Sequence, residues 1–218
     1  MTNRKNLPSR EGIVRQALSE FSRFGYAGAR IDRIAKRAGF SKGMIYYHFR
    51  SKEQLFSAAL ELAWKDGLTL DEAPDHPVDS IVFWNDFYIR NLEWSRLMVW
   101  EGLEWRKPVV LNEKARRDFW RAAVAKMEKA KGAGGWPEFL SVPHYLISLV
   151  AIEMAPVLLP HICRLISGQD PTDPKFRKER EEFLKSFAAF VADREPPKAS
   201  GKKTFAPDAL LEGAGAAS

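Results

Sequence analysis

The chain has 218 residues, of which 45% are hydrophobic and 28% charged, as is ordinary for a soluble globular protein, and its net charge is +6. Its single cysteine, Cys163, excludes an internal disulfide and suits a reducing cytosol. The most apolar stretch, residues 145–166, contains Glu153 and Arg164, so we expect a buried helix there and no membrane span. No apolar segment follows the basic start of the chain, so we expect a cytoplasmic protein without a secretory signal.

The positive charge is concentrated near the N-terminus. Residues 1–52 contain twelve basic and three acidic side chains, a net charge of +9, so the remaining residues carry −3. A basic first quarter on a mildly acidic remainder is typical of a nucleic-acid-binding head. Charge alone also allows a solvated basic surface without a partner.

Four helices are predicted in the N-terminal part of the chain. The first begins near Ser9, a plausible N-cap, and ends at Gly25. The second ends at Gly39, and the third begins at Ser41 after a tight connection. A Ser-x-x-Gln capping box at residues 51–54 opens the fourth. The apolar positions predicted to face inward are Ile13, Ala17, Leu18, Phe21, Phe24, Ile31, Ile34, Ala35, Ala38, Ile45, Phe49, Leu55, Phe56, Ala59 and Leu62.

Helical periodicity continues beyond a loop at residues 71–77. Further helices are predicted at 78–94, 97–105, 112–131, 142–167 and 175–192. From Glu195 onward Pro, Lys, Ser, Gly and Ala dominate, which predicts a disordered tail. No stretch alternates with the period of a strand, so the predicted fold class is all-α.

Residues 31–49 have the layout of a helix-turn-helix. Two short helices are separated by a Gly-x-Ser turn, and Ile45 and Phe49 on one face of the second should lock it onto the first helix. Gly43 would let the backbone approach phosphates, and Ser41 leaves the helix N-terminus facing outward as a phosphate site. The side chains left to meet a DNA duplex are Lys42, Tyr46, Tyr47 and His48.

The string IAKRAGFSKGMIYYHFRSKEQL, residues 34–55, closely resembles the DNA-binding signature of tetracycline-repressor-type (TetR) regulators. FSRFGY, residues 21–26, also resembles the end of that family's first helix. The resemblance implies a three-helix helix-turn-helix head joined through a fourth helix to a helical ligand-binding and dimerisation domain. The corresponding division is a DNA-binding domain at 1–52, a ligand-binding and dimerisation domain at 53–194, and the tail at 195–218.

The same resemblance implies roles for residues of the head. Those that would meet base edges or nearby phosphates are Lys42, Gly43, Tyr47 and His48. Tyr46 and Lys52 would contact the DNA backbone, Lys52 from the start of the helix that links DNA to the ligand domain. Arg30 stands where the family usually has Thr or Ser; it can reach a phosphate but cannot accept an N-cap hydrogen bond. Packing of both tyrosines against the first helix, and a surface His48 without a partner, are the alternatives.

All seven tryptophans lie between Trp64 and Trp136, together with several Phe and Tyr residues. Pockets for small molecules are mostly apolar, and the resemblance implies an effector pocket in this part of the chain. We therefore predict an apolar or aromatic effector. The candidate wall residues are Trp84, Phe87, Tyr88, Trp100 and Trp120. Ordinary core packing of these rings is the alternative.

The last two predicted helices carry more apolar surface than one monomer easily covers. The resemblance implies that they form a four-helix bundle in a homodimer. The candidate interface residues are Leu149, Ile152, Leu158, Phe183, Phe187 and Val191. A twofold dimer would bind a palindromic operator in double-stranded DNA with its recognition helices about 34–36 Å apart or slightly more. Repression is the commoner mode in the family.

An enzyme and an architectural DNA-binding protein are the alternative functions. An enzyme is poorly supported, because the chain has neither HExxH nor GxSxG, and its histidines are too scattered for a metal site. Cys163 is interpreted as a core residue. We therefore expect no catalytic residue, metal, cofactor or membrane partner. A non-specific or architectural DNA-binding protein would use the same head but would not need the large aromatic body.

Overall fold

A computed structural model describes residues 9–67, 70–104, 111–132, 137 and 139–192. Within these ranges the regular structure is helical and contains no strand, which confirms the predicted fold class. The helices are α1 (Arg10–Gly28), α2 (Ile31–Ala38), α3 (Lys42–Phe49), α4 (Lys52–Gly67), α5 (Pro77–Arg90), α6 (Leu92–Glu104), α7 (Glu113–Gly132), α8 (Val142–Leu158), α9 (Pro160–Ser167) and α10 (Pro174–Ala192). A short 3₁₀ turn covers Leu70–Glu72.

Serine caps begin three of the first four helices, as predicted. The hydroxyl oxygen of Ser9 accepts a hydrogen bond from the Gly12 N–H at 3.0 Å, and the Ser41 hydroxyl accepts one from the Met44 N–H at 3.2 Å. The N–H at position 54 donates to the hydroxyl at position 51 in the predicted capping box. Gly39 ends α2 in the left-handed region with φ 76°, a conformation that favours glycine.

The helix break predicted at Gly25 is present, because Gly25 is non-helical within α1 (φ 68°, ψ 179°) and a short helical segment continues from it to Gly28. Two other predicted boundaries are wrong. The break predicted at residues 95–96 lies at Asn91, whose amide donates to the carbonyl oxygen of Phe87 and so ends α5. The single helix predicted at 142–167 is two helices, α8 and α9, bent by 82° at Leu159. The bend follows because prolines at 156 and 160 each lack an amide donor and the second opens α9.

A continuous hydrophobic core joins the first four helices to the rest of the molecule. The predicted inward residues of α1 to α4 belong to it or pack against it, except Phe24, which is 37% exposed, so that its predicted inward position is wrong. The same core includes Tyr88 of α5, Trp94 and Leu97 of α6 and Met154 of α8. A second, smaller cluster holds α5, α8 and α10 together through Ile81, Leu149, Leu184 and Ala188. The N-terminal helices therefore share buried surface with the remainder of the chain. The division at residue 52 stays a prediction.

Among the helices of the described residues, none alone has the length and apolarity to cross a membrane, while the bent pair α8 and α9 meets that test only when counted together. Cys163 of α9 is half-buried and lies outside both core clusters, so its interpretation as a core residue is wrong. The predicted tail at 195–218, as well as Trp105 and Trp136, lies outside the described residues.

Candidate DNA-binding surface and ligand cavity

Helix α3 presents its polar and aromatic side to solvent. Ile45 and Phe49 are buried against the other helices, whereas Tyr47 is 78% exposed and Tyr46 is 40% exposed. This exposure disfavours packing of both tyrosines against the first helix. His48 is half-buried, and its ring lies 5.4 Å from that of Tyr47 between centroids. α3 therefore offers a surface able to enter a groove, with His48 at its edge.

Asp32 of α2 holds two of the candidate DNA-binding cations. Its carboxylate lies 3.1 Å from Lys42 Nζ and 3.8 Å from a guanidinium nitrogen of Arg30. All three side chains are more than half exposed, so these pairs are weak and can exchange for phosphate contacts. Gly43 and Ser41 are exposed beside them, at the N-terminus of α3.

Glu20 organises the start of α2, a role that the sequence interpretation missed. It is fully buried, and it accepts hydrogen bonds from Arg33 Nε at 2.6 Å, Arg37 at 3.3 Å and the backbone N–H of Arg30 at 3.0 Å. Arg30 makes no side-chain cap, as expected, and the Glu20 carboxylate secures its amide instead. Because Glu20 lies three residues after Ala17 on the apolar face of α1, helical spacing could have marked it.

Helices α4 and α6 both hold the end of α1, in an arrangement that we call the α1 clasp (Gly25, Ala27, Lys52 and Glu104). The Ala27 N–H donates to Glu104 Oε2 at 3.1 Å, and its carbonyl oxygen accepts from Lys52 Nζ at 3.2 Å. Burial lowers the pKa of Lys52, while the charges of Glu104 and Glu20 oppose that shift. The predicted DNA-backbone contact of Lys52 would therefore begin from a side chain already tied to α1.

A cavity with about 700 Å³ of non-atom space, including its open mouth, lies between α5, α7, α8 and the segment 70–75. Of the five predicted wall residues, Trp84, Tyr88 and Trp120 line it, and the unpredicted Phe119 joins them. The other two do not line it. Phe87 packs on Trp94, with ring centroids 5.5 Å apart, and Trp100 is half-buried elsewhere on α6.

The cavity also contains charged groups. Glu153 of α8 lines it with only 3% of the residue exposed, and burial raises the pKa of this carboxyl group well above its ordinary value. Burial and the charge of Glu153 also raise the pKa of the neighbouring Tyr88. At the mouth, Lys126 Nζ lies 3.0 Å from Asp75. Among the described residues, no group of three or more acidic, His or Cys side chains could hold a metal ion.

The six predicted interface residues occupy different environments. Leu149 is buried within the monomer and lines the cavity, while Ile152, Phe187 and Val191 are half-buried. Leu158 and Phe183 are exposed. Further exposed apolar side chains lie in the same part of the molecule, three of them on α9, which are Ile147, Leu159, Ile162, Leu165, Ile166 and Phe190.

Comparison with known proteins identifies the family. Residues 13–59 match the family model described as bacterial regulatory proteins, tetR family. Over 184 residues the chain is 31% identical to the HTH-type transcriptional repressor SCO4008 of Streptomyces coelicolor, an alignment that covers 84% of this chain and 94% of that protein. The chain belongs to the TetR family.

Other TetR-family proteins extend the comparison. The chain is 35% identical over 103 residues to the HTH-type transcriptional repressor NicS of Pseudomonas putida, covering 44% of this chain and 49% of NicS. The crystal structure of the transcriptional regulator SCO4942 from Streptomyces coelicolor superposes with a TM-score of 0.66 at 26% identity, covering 82% of this chain and 97% of that one. The TetR prediction is thus confirmed: the protein is a DNA-binding transcriptional regulator, and its relatives are regulators and not enzymes.

Proposed function

We propose that this TetR-family regulator is a repressor that binds a palindromic operator as a homodimer and releases it when a small apolar or aromatic effector enters the cavity. The observation that carries the proposal is that the Tyr88 side chain is shared between the cavity wall and the hydrophobic core of the N-terminal helices. It lines the cavity, and it is also part of the core that contains α1 to α4. A ligand that moves this ring therefore acts on the same packed unit that positions α3.

Operator contact is assigned to the exposed side of α3 and its surroundings. The proposed DNA-binding residues are Arg30, Ser41, Lys42, Gly43, Tyr46, Tyr47, His48 and Lys52. Support comes from the exposure of Tyr47 beside buried Ile45, which fixes the outward face of the helix. Base edges would be contacted by the α3 side chains and phosphates by the surrounding cations.

The dimer interface is assigned to the apolar surface of α8, α9 and α10. Leu165 and Ile166 are 80% and 82% exposed, and Leu158 and Phe183 are also exposed, which is unfavourable for a lone monomer. Leu149 is left out of the proposed interface because it is already buried. Ile152, Phe187 and Val191 stay in it as half-buried residues at its edge. Twofold pairing of these helices would make the operator palindromic.

A chain of packed rings connects the cavity to the head. Tyr88 stacks on Trp94 of α6 with ring centroids 5.7 Å apart, and Trp94 lies 5.6 Å from the ring of Trp64 on α4. α4 begins and α6 ends at the α1 clasp, through Lys52 and Glu104. We infer that a ligand favouring another position of α4 or α6 changes the separation of the two heads. Release then requires that the ligand bind the two arrangements with different affinity.

The test is binding to the DNA upstream of the protein's own gene at several salt concentrations, against scrambled competitor. We expect retention of a palindromic fragment, with Tyr47→Ala weakening it by about tenfold or more. Lys42→Ala should weaken binding and reduce the salt slope by about one, whereas Lys129→Ala on α7 should change neither. Equal, steeply salt-dependent binding to upstream and scrambled DNA would contradict a sequence-specific operator in that fragment.

A further inference from the structure

The cavity contains a buried acid for which the described residues offer no cation. Only 3% of Glu153 is exposed, and the described residues make no ion pair with its carboxyl group. The phenol groups of Tyr88 and Tyr145 interact with it electrostatically. Its backbone carbonyl oxygen accepts a hydrogen bond from Asn85 Nδ2 at 2.8 Å, which fixes α8 against α5 at this level. Because this hydrogen bond fixes the backbone at Glu153, its side chain stays at the cavity.

An acid in this position is costly for the protein alone. A carboxylate taken out of water without a partner loses its hydration, and burial raises the pKa of Glu153 accordingly. Lys126 is the one cationic side chain among the described residues that line the cavity. Its Nζ is already bound at the mouth, to the Asp75 carboxylate and to the carbonyl oxygens of Leu70 and Ala73. The partner that would suit Glu153 is therefore a positive charge brought by a ligand.

The other walls favour the same kind of ligand. Four aromatic side chains line the cavity, which are Trp84, Tyr88, Phe119 and Trp120. Their ring faces attract cations and stack on flat ring systems. A bound cation would favour the ionised form of Glu153 and pair with it, whereas an anion would favour the protonated form and gain no ion pair, and a neutral hydrocarbon would leave the carboxyl group without a polar partner.

We propose that the effector is a flat organic cation, an aromatic or heteroaromatic ring system with a permanent positive charge, and that Glu153 pairs with that charge. This inference rests on the proposed function, which makes the cavity the effector site. Glu153 acts in it as a specificity residue: it selects the charge of the ligand, while the rings select its shape.

The test uses three flat tricyclic probes that differ in charge. These are 10-methylacridinium, a permanent cation; acridine, which is neutral at about pH 8; and anthracene-9-carboxylate, an anion. Each is titrated into the full-length protein, and binding is followed by calorimetry. We expect 10-methylacridinium to bind about tenfold or more tightly than acridine, and the carboxylate most weakly.

Two variants separate the buried acid from general electrostatics. Glu153→Gln keeps the shape of the side chain and removes its charge, and we expect it to abolish the preference for the cation while acridine binds as before. Glu128→Gln removes an exposed carboxylate of α7 that does not line the cavity, and it should leave the preference unchanged. Circular dichroism of each variant verifies its fold.

The outcomes distinguish this inference from the proposed function. Failure of 10-methylacridinium to bind, equal binding of cation and neutral probe, or a preference that survives in Glu153→Gln would overturn the ligand class. The same probes are then added to the protein–DNA complex. If the cation binds with a preference that depends on Glu153 yet leaves the complex intact, the ligand class stands and the ligand response proposed above fails.

Discussion

Gly25 provides a sharp test of how the head is attached. Its φ of 68° and ψ of 179° lie in a region that glycine alone occupies readily. A Cβ atom placed there would lie 2.7 Å from Glu104 Oε1 and 2.8 Å from Oε2. Because those atoms are the end of a flexible side chain, Glu104 would swing away and give up its 3.1 Å hydrogen bond from the Ala27 N–H.

Gly25→Ala therefore has two separable costs. Backbone strain amounts to about 1–3 kcal/mol. Loss of a partly exposed, charge-assisted hydrogen bond adds about 1 kcal/mol after allowance for solvent screening. We expect a total loss of about 2–4 kcal/mol in the free energy of unfolding, measured by urea denaturation with an unchanged m-value.

The second cost depends on Glu104 and can be isolated in a double-mutant cycle. In a Glu104→Ala background Gly25→Ala should cost only the strain, so the coupling energy should be about 1 kcal/mol. Gly39→Ala is the control: its φ is 76° and no atom lies within 4 Å of the added Cβ, so its cost should not depend on Glu104. If Gly25→Ala costs the same with and without Glu104, the α1 clasp does not stabilise the head as argued.

Three further predictions concern buried acids and the exposed helix. Glu20→Ala removes the acceptor for Arg33, Arg37 and the Arg30 amide. Urea denaturation should show a loss of about 2–3 kcal/mol in the free energy of unfolding, a moderate value because the arginines are partly exposed. A loss below about 0.5 kcal/mol would refute the role of Glu20. Because burial raises the folded-state pKa of Glu153, the folded protein retains a proton there that the unfolded chain loses, and that stability is lost as the pH rises through the raised pKa. Glu153→Gln should therefore gain in melting temperature relative to wild type between about pH 5 and pH 8, and a constant difference would contradict the burial argument. Leu165→Glu should give monomers in sedimentation whereas Lys129→Glu should not, and a persistent dimer would place the interface elsewhere.

Local sequence determines the parts of this molecule that could be predicted. The helix-turn-helix follows from caps and spacing within a few residues, so Ser41, Gly39 and the inward face of Ile45 and Phe49 were found correctly. The break after α5 was missed because the preference of Asn91 for a helix end is weak beside the helical periodicity that continues through it.

The functional acids depend on contacts that are distant along the chain. Glu104 meets Ala27 across 77 positions, and no local pattern indicates such a pairing. Glu153 was noted in the sequence only as a charge that argues against a membrane span, because its importance depends on a cavity built by α5, α7 and α8. The aromatic walls were predicted in part, since abundance of rings in a segment does not say which rings share a space.

The shared core has a consequence for modular design. Chimeric regulators are made by joining the reader of one protein to the sensor of another, and the natural cut is the link between α3 and α4. Here that cut would leave the faces of α1 that pack on Trp94 and Leu97 without matching surface. A working hybrid should exchange α4 and α6 together with α1, or else redesign both of the surfaces that pack together there. This need for matching surfaces would limit which DNA-binding heads and ligand domains can be exchanged among relatives of this architecture.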